Sequence, residues 1–133
     1  MALLEVNNLD VRFALRQGEV HALRDITFTL ERGERLGIVG ESGAGKSVAA
    51  FSLLNLIAKP GFIAGGSVNF DGQVLNRMSE RGLRKVRGNR ISMIFQDPMM
   101  TLNPVLSIGE QMVECLKAHR RISSKEARGI ALD

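Results

Sequence analysis

At 133 residues, with 44% hydrophobic and 24% charged side chains, the chain has one domain's length and the composition of a soluble globular fold, which excludes a disordered tract or a set of membrane spans. A net charge of +4 raises nucleic acid as a partner, yet the densest basic run, Arg77, Arg81, Arg84, Lys85, Arg87 and Arg90, carries no aromatic residue to stack a base. Its spacing suits a solvated helix face with Leu83 and Val86 turned inward, so no nucleic acid is expected; basic surface also suits docking at an anionic membrane face.

In chain order, MALLEVNNLD lacks a basic leader and an apolar run, and the single Cys115 excludes an internal disulfide, so a cytosolic setting is expected. Leu3 to Phe13 alternates loosely and is rich in β-favouring residues, which predicts a strand or a pair of short strands. A polar connection, Ala14 to Glu19, leads to Ala22 to Leu30, where Ile26, Phe28 and Leu30 recur at period two. Glu31-Arg32-Gly33-Glu34 then turns the chain into an apolar run, Arg35 to Val39, expected as a buried strand.

The next eight residues, Gly40-Glu41-Ser42-Gly43-Ala44-Gly45-Lys46-Ser47, fit the pattern GxxxxGK[ST]. Nucleoside triphosphates present crowded anionic oxygens, and a glycine turn lets backbone N–H groups converge on them without side-chain obstruction. Ser47 to Ala58 has no glycine or proline and predicts a helix whose positive dipole end, with Val48 in its first turn, faces the phosphates. Lys46 would reach the β and γ phosphates of ATP and the Ser47 hydroxyl would ligate Mg²⁺. A glycine-rich turn that merely ends in Lys-Ser is the plainer reading, and the strand before it and helix after it weigh against that.

Lys59-Pro60-Gly61 closes the helix, and Gly65 to Gly72 reads as a short strand between turns. Ser79 to Val86 is expected to be helical, and Ile91 to Phe95 a second apolar strand. Pro98 and Pro104 bracket a loop. Ser107 with Glu110, and Ser123 with Glu126, each fit a capping box and predict two helices, the first burying Ile108, Met112, Cys115 and Leu116. Strand, phosphate loop, helix and strand imply an α/β fold with a parallel sheet.

At Ile94-Phe95-Gln96-Asp97-Pro98-Met99-Met100-Thr101-Leu102-Asn103-Pro104 the chain resembles the ATP-binding subunits of ABC transporters, in the branch serving oligopeptide, dipeptide and nickel importers. The similarity runs from about Leu3 to about Arg128. GESGAGKS looks like that branch's phosphate loop (Walker A), and Gln96 with the following loop looks like its Q-loop; Met100-Thr101 stands where Thr-Ser is usual. The resemblance implies a P-loop NTPase fold with a parallel core sheet, an amino-terminal antiparallel β subdomain (1–34), a P-loop core with the Q-loop (35–98) and the start of a helical subdomain (99–133).

For individual residues the resemblance implies that Gln96 contacts Mg²⁺ or the attacking water, a task suited to a neutral amide at a strand's carboxyl end. Phe13 stands where an aromatic residue, more often tyrosine, stacks on adenine; a plain core role is the alternative. The loop Asp97 to Pro104 would face transmembrane permease subunits, a second ATPase subunit would complete a dimer, and the location would be peripheral, on the cytoplasmic face of the plasma (inner) membrane. The expected whole is ATP hydrolysis that energises uptake of peptides or similar solutes.

The family's signature sequence, its Walker B strand with an Asp-Glu pair, its D-loop and its switch histidine are not found in these 133 residues. The chain alone is therefore expected to bind nucleotide without hydrolysing it, to be an incomplete domain, and to be marginally stable because a core strand is missing. Two further readings stay open: a non-hydrolysing remnant, and a small phosphate-loop kinase using Asp97 as the Mg²⁺ partner, against which Pro98 and the Q-loop fit both argue.

Overall fold

The computed structural model describes residues 1–133, except for the side chain of Pro98. Contacts divide the chain into two compact units, Met1–Leu83 and Arg84–Asp133.

The first unit is built on β1 (Leu4–Leu15), β2 (Gly18–Leu30), β3 (Gly61–Phe70) and β4 (Gln73–Val74), an antiparallel sheet in the order β2-β1-β3-β4. In the central strand β1 the buried residues are Leu4, Val6, Leu9 and Val11. The step from Val6 to Leu9 is odd, so strict alternation would turn Leu9 and Val11 to solvent. One extra residue restores the phase. Asn8, at φ 48°, sits in a register shift against both neighbours; its backbone N–H donates to Thr27 Oγ1 (2.9 Å) and its side-chain amide to the carboxylate of Asp25, itself at φ 49°. A bulge of this kind re-aims the strand without breaking the sheet. Gly66, at φ 84°, makes the bulge possible from β3: a Cβ there would fall 2.3 Å from the Asn8 carbonyl oxygen.

Val68, Phe70 and Leu75 complete the same core with Leu23 from β2; each fully buried aliphatic side chain stabilises by about 1.5–3 kcal/mol relative to exposure. The Asp71-Gly72 turn, both residues at positive φ (48° and 82°), is the two-residue hairpin geometry matched to strand twist.

The helix after the phosphate loop, α1 (Lys46–Leu53), is shorter than the expected Ser47 to Ala58. Asn55 at φ 52° ends it: Asn55 N–H donates to Ser52 O (3.1 Å) and Leu56 N–H to Phe51 O (2.9 Å), a left-handed cap that satisfies the last carbonyls. The helix α2 (Glu80–Val86) buries Leu83 and Val86 as expected.

Two expected strands have no ladder. Residues 34–40 carry no strand pairing, and Leu36, Ile38 and Val39 are 45%, 50% and 93% exposed. Residues 92–95 likewise form no strand; Ile91 makes a single bridge to Arg87, and Ile94 is 96% exposed. These runs are apolar enough to be buried, but a strand needs a neighbour to pair its backbone, and among the described residues neither run forms a ladder. The ladders formed are antiparallel; no parallel ladder forms among the described residues.

In the second unit, α3 (Ile108–His119) and α4 (Ser124–Leu132) pack as a helical hairpin around a fully buried Ala127. Both capping boxes are present: Ser107 Oγ accepts from Glu110 N–H (3.2 Å) and Ser123 Oγ from Glu126 N–H (3.1 Å), with each glutamate returning to its cap's N–H. The hydrogen bonds from the Ser107 backbone and hydroxyl hold the Glu110 carboxyl below its ordinary value. The predicted buried stripe on α3 is a correction: Ile108, Met112 and Cys115 are exposed and Leu116 is half-buried. One short partner helix covers α3 only in part, and Met112 lines an open cavity beside Arg128, Ala131 and Leu132 of α4.

Candidate functional site

The phosphate loop takes its shape from Gly43 (φ 81°) and Gly45 (φ 93°). Ala44 N–H donates to Glu41 O (3.1 Å), closing the turn, and Ala49 N–H donates to Gly45 O (2.9 Å), starting α1. Gly45 is the N-cap residue; it has no side chain to cap the helix, and the first turn contains no acidic residue. The opening N–H groups of α1 are thus left for an anion, at the positive end of the helix dipole. A Cβ on Gly45 would lie 3.0 Å from both Ala22 O and Leu23 Cδ2, so the loop is seated directly on β2. Gly40 is close-packed as well, its would-be Cβ 3.2 Å from the Ala44 Cβ.

Lys46 arches back over this turn. Its Nζ donates to Gly40 O and Glu41 O, both at 2.6 Å, which places the ammonium at the loop's mouth. Glu41, Ser42 and Ser47 are exposed there, and Val48 is half-buried behind them. Gly40 to Val48 thus form one continuous turn and helix start. Between β2, the Leu36–Val39 segment and α1 lies an apolar groove of about 460 Å³, lined by Leu23, Phe28, Leu36, Ile38 and Ala49 among others. Ala44, Gly45 and Lys46 also line it, so this apolar groove adjoins the phosphate loop.

Phe13 pairs with Val20 and Gly61 at the end of β1. A Cβ on Gly61 would fall 2.6 Å from Phe13 Cε1 and 2.5 Å from Ile57 Cγ2, so the half-buried ring rests on Gly61 beside Ile57. Gln96 and Asp97 belong to the second unit, both exposed, just before a 3₁₀ turn at Pro98–Thr101 that closes with Met100 N–H donating to Asp97 O (3.2 Å). No group of three or more His, Cys, Asp or Glu residues able to hold a metal occurs among the described residues.

Sequence reasoning missed Gln111. From α3 its side-chain oxygen accepts from Asn103 N–H (2.9 Å), and its Nε2 donates to Asn103 O and Leu106 O (both 3.1 Å). It clamps the loop that carries exposed Met99, Met100, Leu102 and Val105. A glutamine on a helix surface gives no local signal for such a role, because its partners are chosen by the loop's path.

The ABC transporter family matches residues 23–131. The chain is 53% identical over 125 residues to the oligopeptide transport ATP-binding protein OppD of Salmonella typhimurium, covering 94% of this chain and 37% of that protein. It is 45% identical over 132 residues to OppD of Bacillus subtilis, covering 98% of this chain and 37% of that one. Among solved structures, the dimeric bacterial ABC transporter cassette MJ0796 superposes with a TM-score of 0.83 at 26% identity, over 97% of this chain and 54% of that one. The chain thus spans less than half the length of these curated relatives.

Proposed function

We propose that this chain, which belongs to the ABC transporter family, carries the nucleotide-binding half-site of an importer ATPase subunit that energises uptake of oligopeptides or similar solutes. The observation that carries the reading is the cradle: an uncapped α1 amino terminus, Gly45 packed against β2, and Lys46 held at the mouth by two carbonyls. A triphosphate would replace those carbonyls as the partner of Lys46 Nζ, and the α1 N–H groups would take the remaining oxygens.

Magnesium fits this donor set. Mg²⁺ keeps several waters and needs only one or two protein oxygens beside the substrate phosphates; the exposed Ser47 hydroxyl would supply one, and the family resemblance assigns Gln96 a role toward the ion or the attacking water. The ion would neutralise charge developing on the transferred phosphoryl group. Phe13, with its ring already supported by Gly61 and Ile57, would offer its remaining surface to adenine, in contacts worth about 1–3 kcal/mol by analogy with base stacking.

Hydrolysis would need the signature and the Asp-Glu pair that these 133 residues lack. The relatives' additional length is the proposed source of both, and of ladder partners for Leu36–Val39 and Ile91–Phe95. The exposed methionines after Gln96, held by Gln111, suit an adaptable contact with permease subunits, and a second ATPase subunit would complete the assembly at the cytoplasmic face of the membrane. Among the described residues no helix is long and apolar enough to cross a membrane.

Calorimetric titration with Mg²⁺-ATP, with phosphate release followed in the same samples, tests this. Binding that disappears in Lys46→Ala, without phosphate release from either protein, is the expected result. Steady release abolished by the same substitution would contradict the proposed division of labour and favour a self-contained catalytic site.

A further inference from the structure

Two basic segments far apart in sequence converge in the second unit. A cavity of about 430 Å³ is lined by Arg84 and Lys85 from the end of α2 and by Lys117, His119, Arg120 and Arg121 from the end of α3 and beyond; Asn89 is its remaining polar residue, and no carboxylate lines it. The segments touch: a Cβ on Gly88 would lie 3.2 Å from His119 Nε2. Asn89 Nδ2 donates to Lys85 O (3.2 Å) and Lys117 Nζ to Ser124 Oγ (3.1 Å). Among the described residues none of the four arginines and lysines flanking this contact, Arg84, Lys85, Arg120 and Arg121, forms an ion pair.

Bringing cations together without counter-charges opposes folding, and the negative end of the α3 dipole accounts for only those in its last turn. A polyanionic partner offsets the rest. No Phe, Tyr or Trp lines the cavity, and it differs from the cradle at Gly40–Val48 in using side-chain cations rather than converging backbone N–H groups. That combination suits phosphates presented side by side on a surface.

We infer that this cavity receives the phosphate headgroups of anionic phospholipids and holds the chain against the inner leaflet. The inference rests on the reading of the chain as part of a transporter subunit. Co-sedimentation of the full chain with vesicles of phosphatidylglycerol and phosphatidylcholine, against phosphatidylcholine alone, measures it. The variant Lys85→Gln/Arg120→Gln/Arg121→Gln is expected to bind anionic vesicles about a hundredfold more weakly, at about fivefold per charge. Removing the same charge from the first unit, with Arg16→Gln/Arg24→Gln/Lys59→Gln, should change binding by no more than about threefold, while Lys85→Arg/Lys117→Arg should retain it.

Equal losses in the two triple variants would overturn the inference, as would no preference for anionic vesicles or stronger retention on single-stranded RNA. Mg²⁺-ATP titration of the same samples separates the two levels. Intact ATP binding without vesicle binding sinks the lipid site alone, whereas lost ATP binding in the unaltered chain sinks the functional reading beneath it.

Discussion

The strand β1 and the segment Leu36–Val39 both present valine and leucine side chains, yet Val6 and Val11 are fully buried while Val39 is 93% exposed. Hydrophobicity does not separate them. β1 has a ladder partner on each side, β2 and β3, and the Leu36–Val39 segment has none among the described residues. Burial follows from the availability of a backbone partner, and an apolar run without one stays open however strand-like its composition.

The sharpest way to break this comparison is to cut both regions equally. Leu9→Ala removes a side chain that is 1% exposed and should cost about 2–5 kcal/mol, read as a lower urea midpoint. Ile38→Ala, on a half-exposed residue, should cost no more than about 0.5 kcal/mol; equal losses would show that the segment is packed after all. Gly66→Ala attacks the bulge that keeps β1 in phase. Its positive φ alone costs about 1–3 kcal/mol, before the clash with Asn8 O is counted, and near-neutral thermal unfolding would mean that the bulge is not required.

A smaller effect is expected in the second unit. Ser107→Ala removes the cap of α3 and should cost about 1 kcal/mol of helix stability by circular dichroism. Glu110 adds a pH signature. Its folded carboxyl lies below the ordinary value of 4.5, held there by hydrogen bonds from Ser107. Its contribution is therefore complete above that ordinary value and is lost as pH falls through the lowered one. Ser107→Ala should flatten this acid-side loss. The smallest effect is on solubility: Ile94→Ser, at a 96% exposed site, should reduce light scattering from concentrated protein without moving the unfolding midpoint.

The features legible in the sequence were the local ones. GESGAGKS specifies its own turn because the glycines and the helix that follows are contiguous, and each capping box is written in a serine and a glutamate three positions apart. The remainder depended on distant chain. The bulge at Asn8 is visible only as an odd step between Val6 and Leu9, and the end of α1 at Asn55 was masked by the more obvious Pro60. The exposure of Ile108 and Met112 was hidden because periodicity marks an apolar face without saying what covers it. Gln111 and the convergence of Arg84 with Arg120 had no local signal.

Amide hydrogen exchange, with and without Mg²⁺-ATP, tests the central claim most directly, because it reads the paired sheet, the open segment and the phosphate cradle in one molecule. The account predicts strong protection at Val6, Val11 and Val68, little at Leu36–Val39, and slowing at Lys46–Val48 when nucleotide is added. Protection of Leu36–Val39 equal to that of β1, or no nucleotide-dependent slowing at the start of α1, would contradict it.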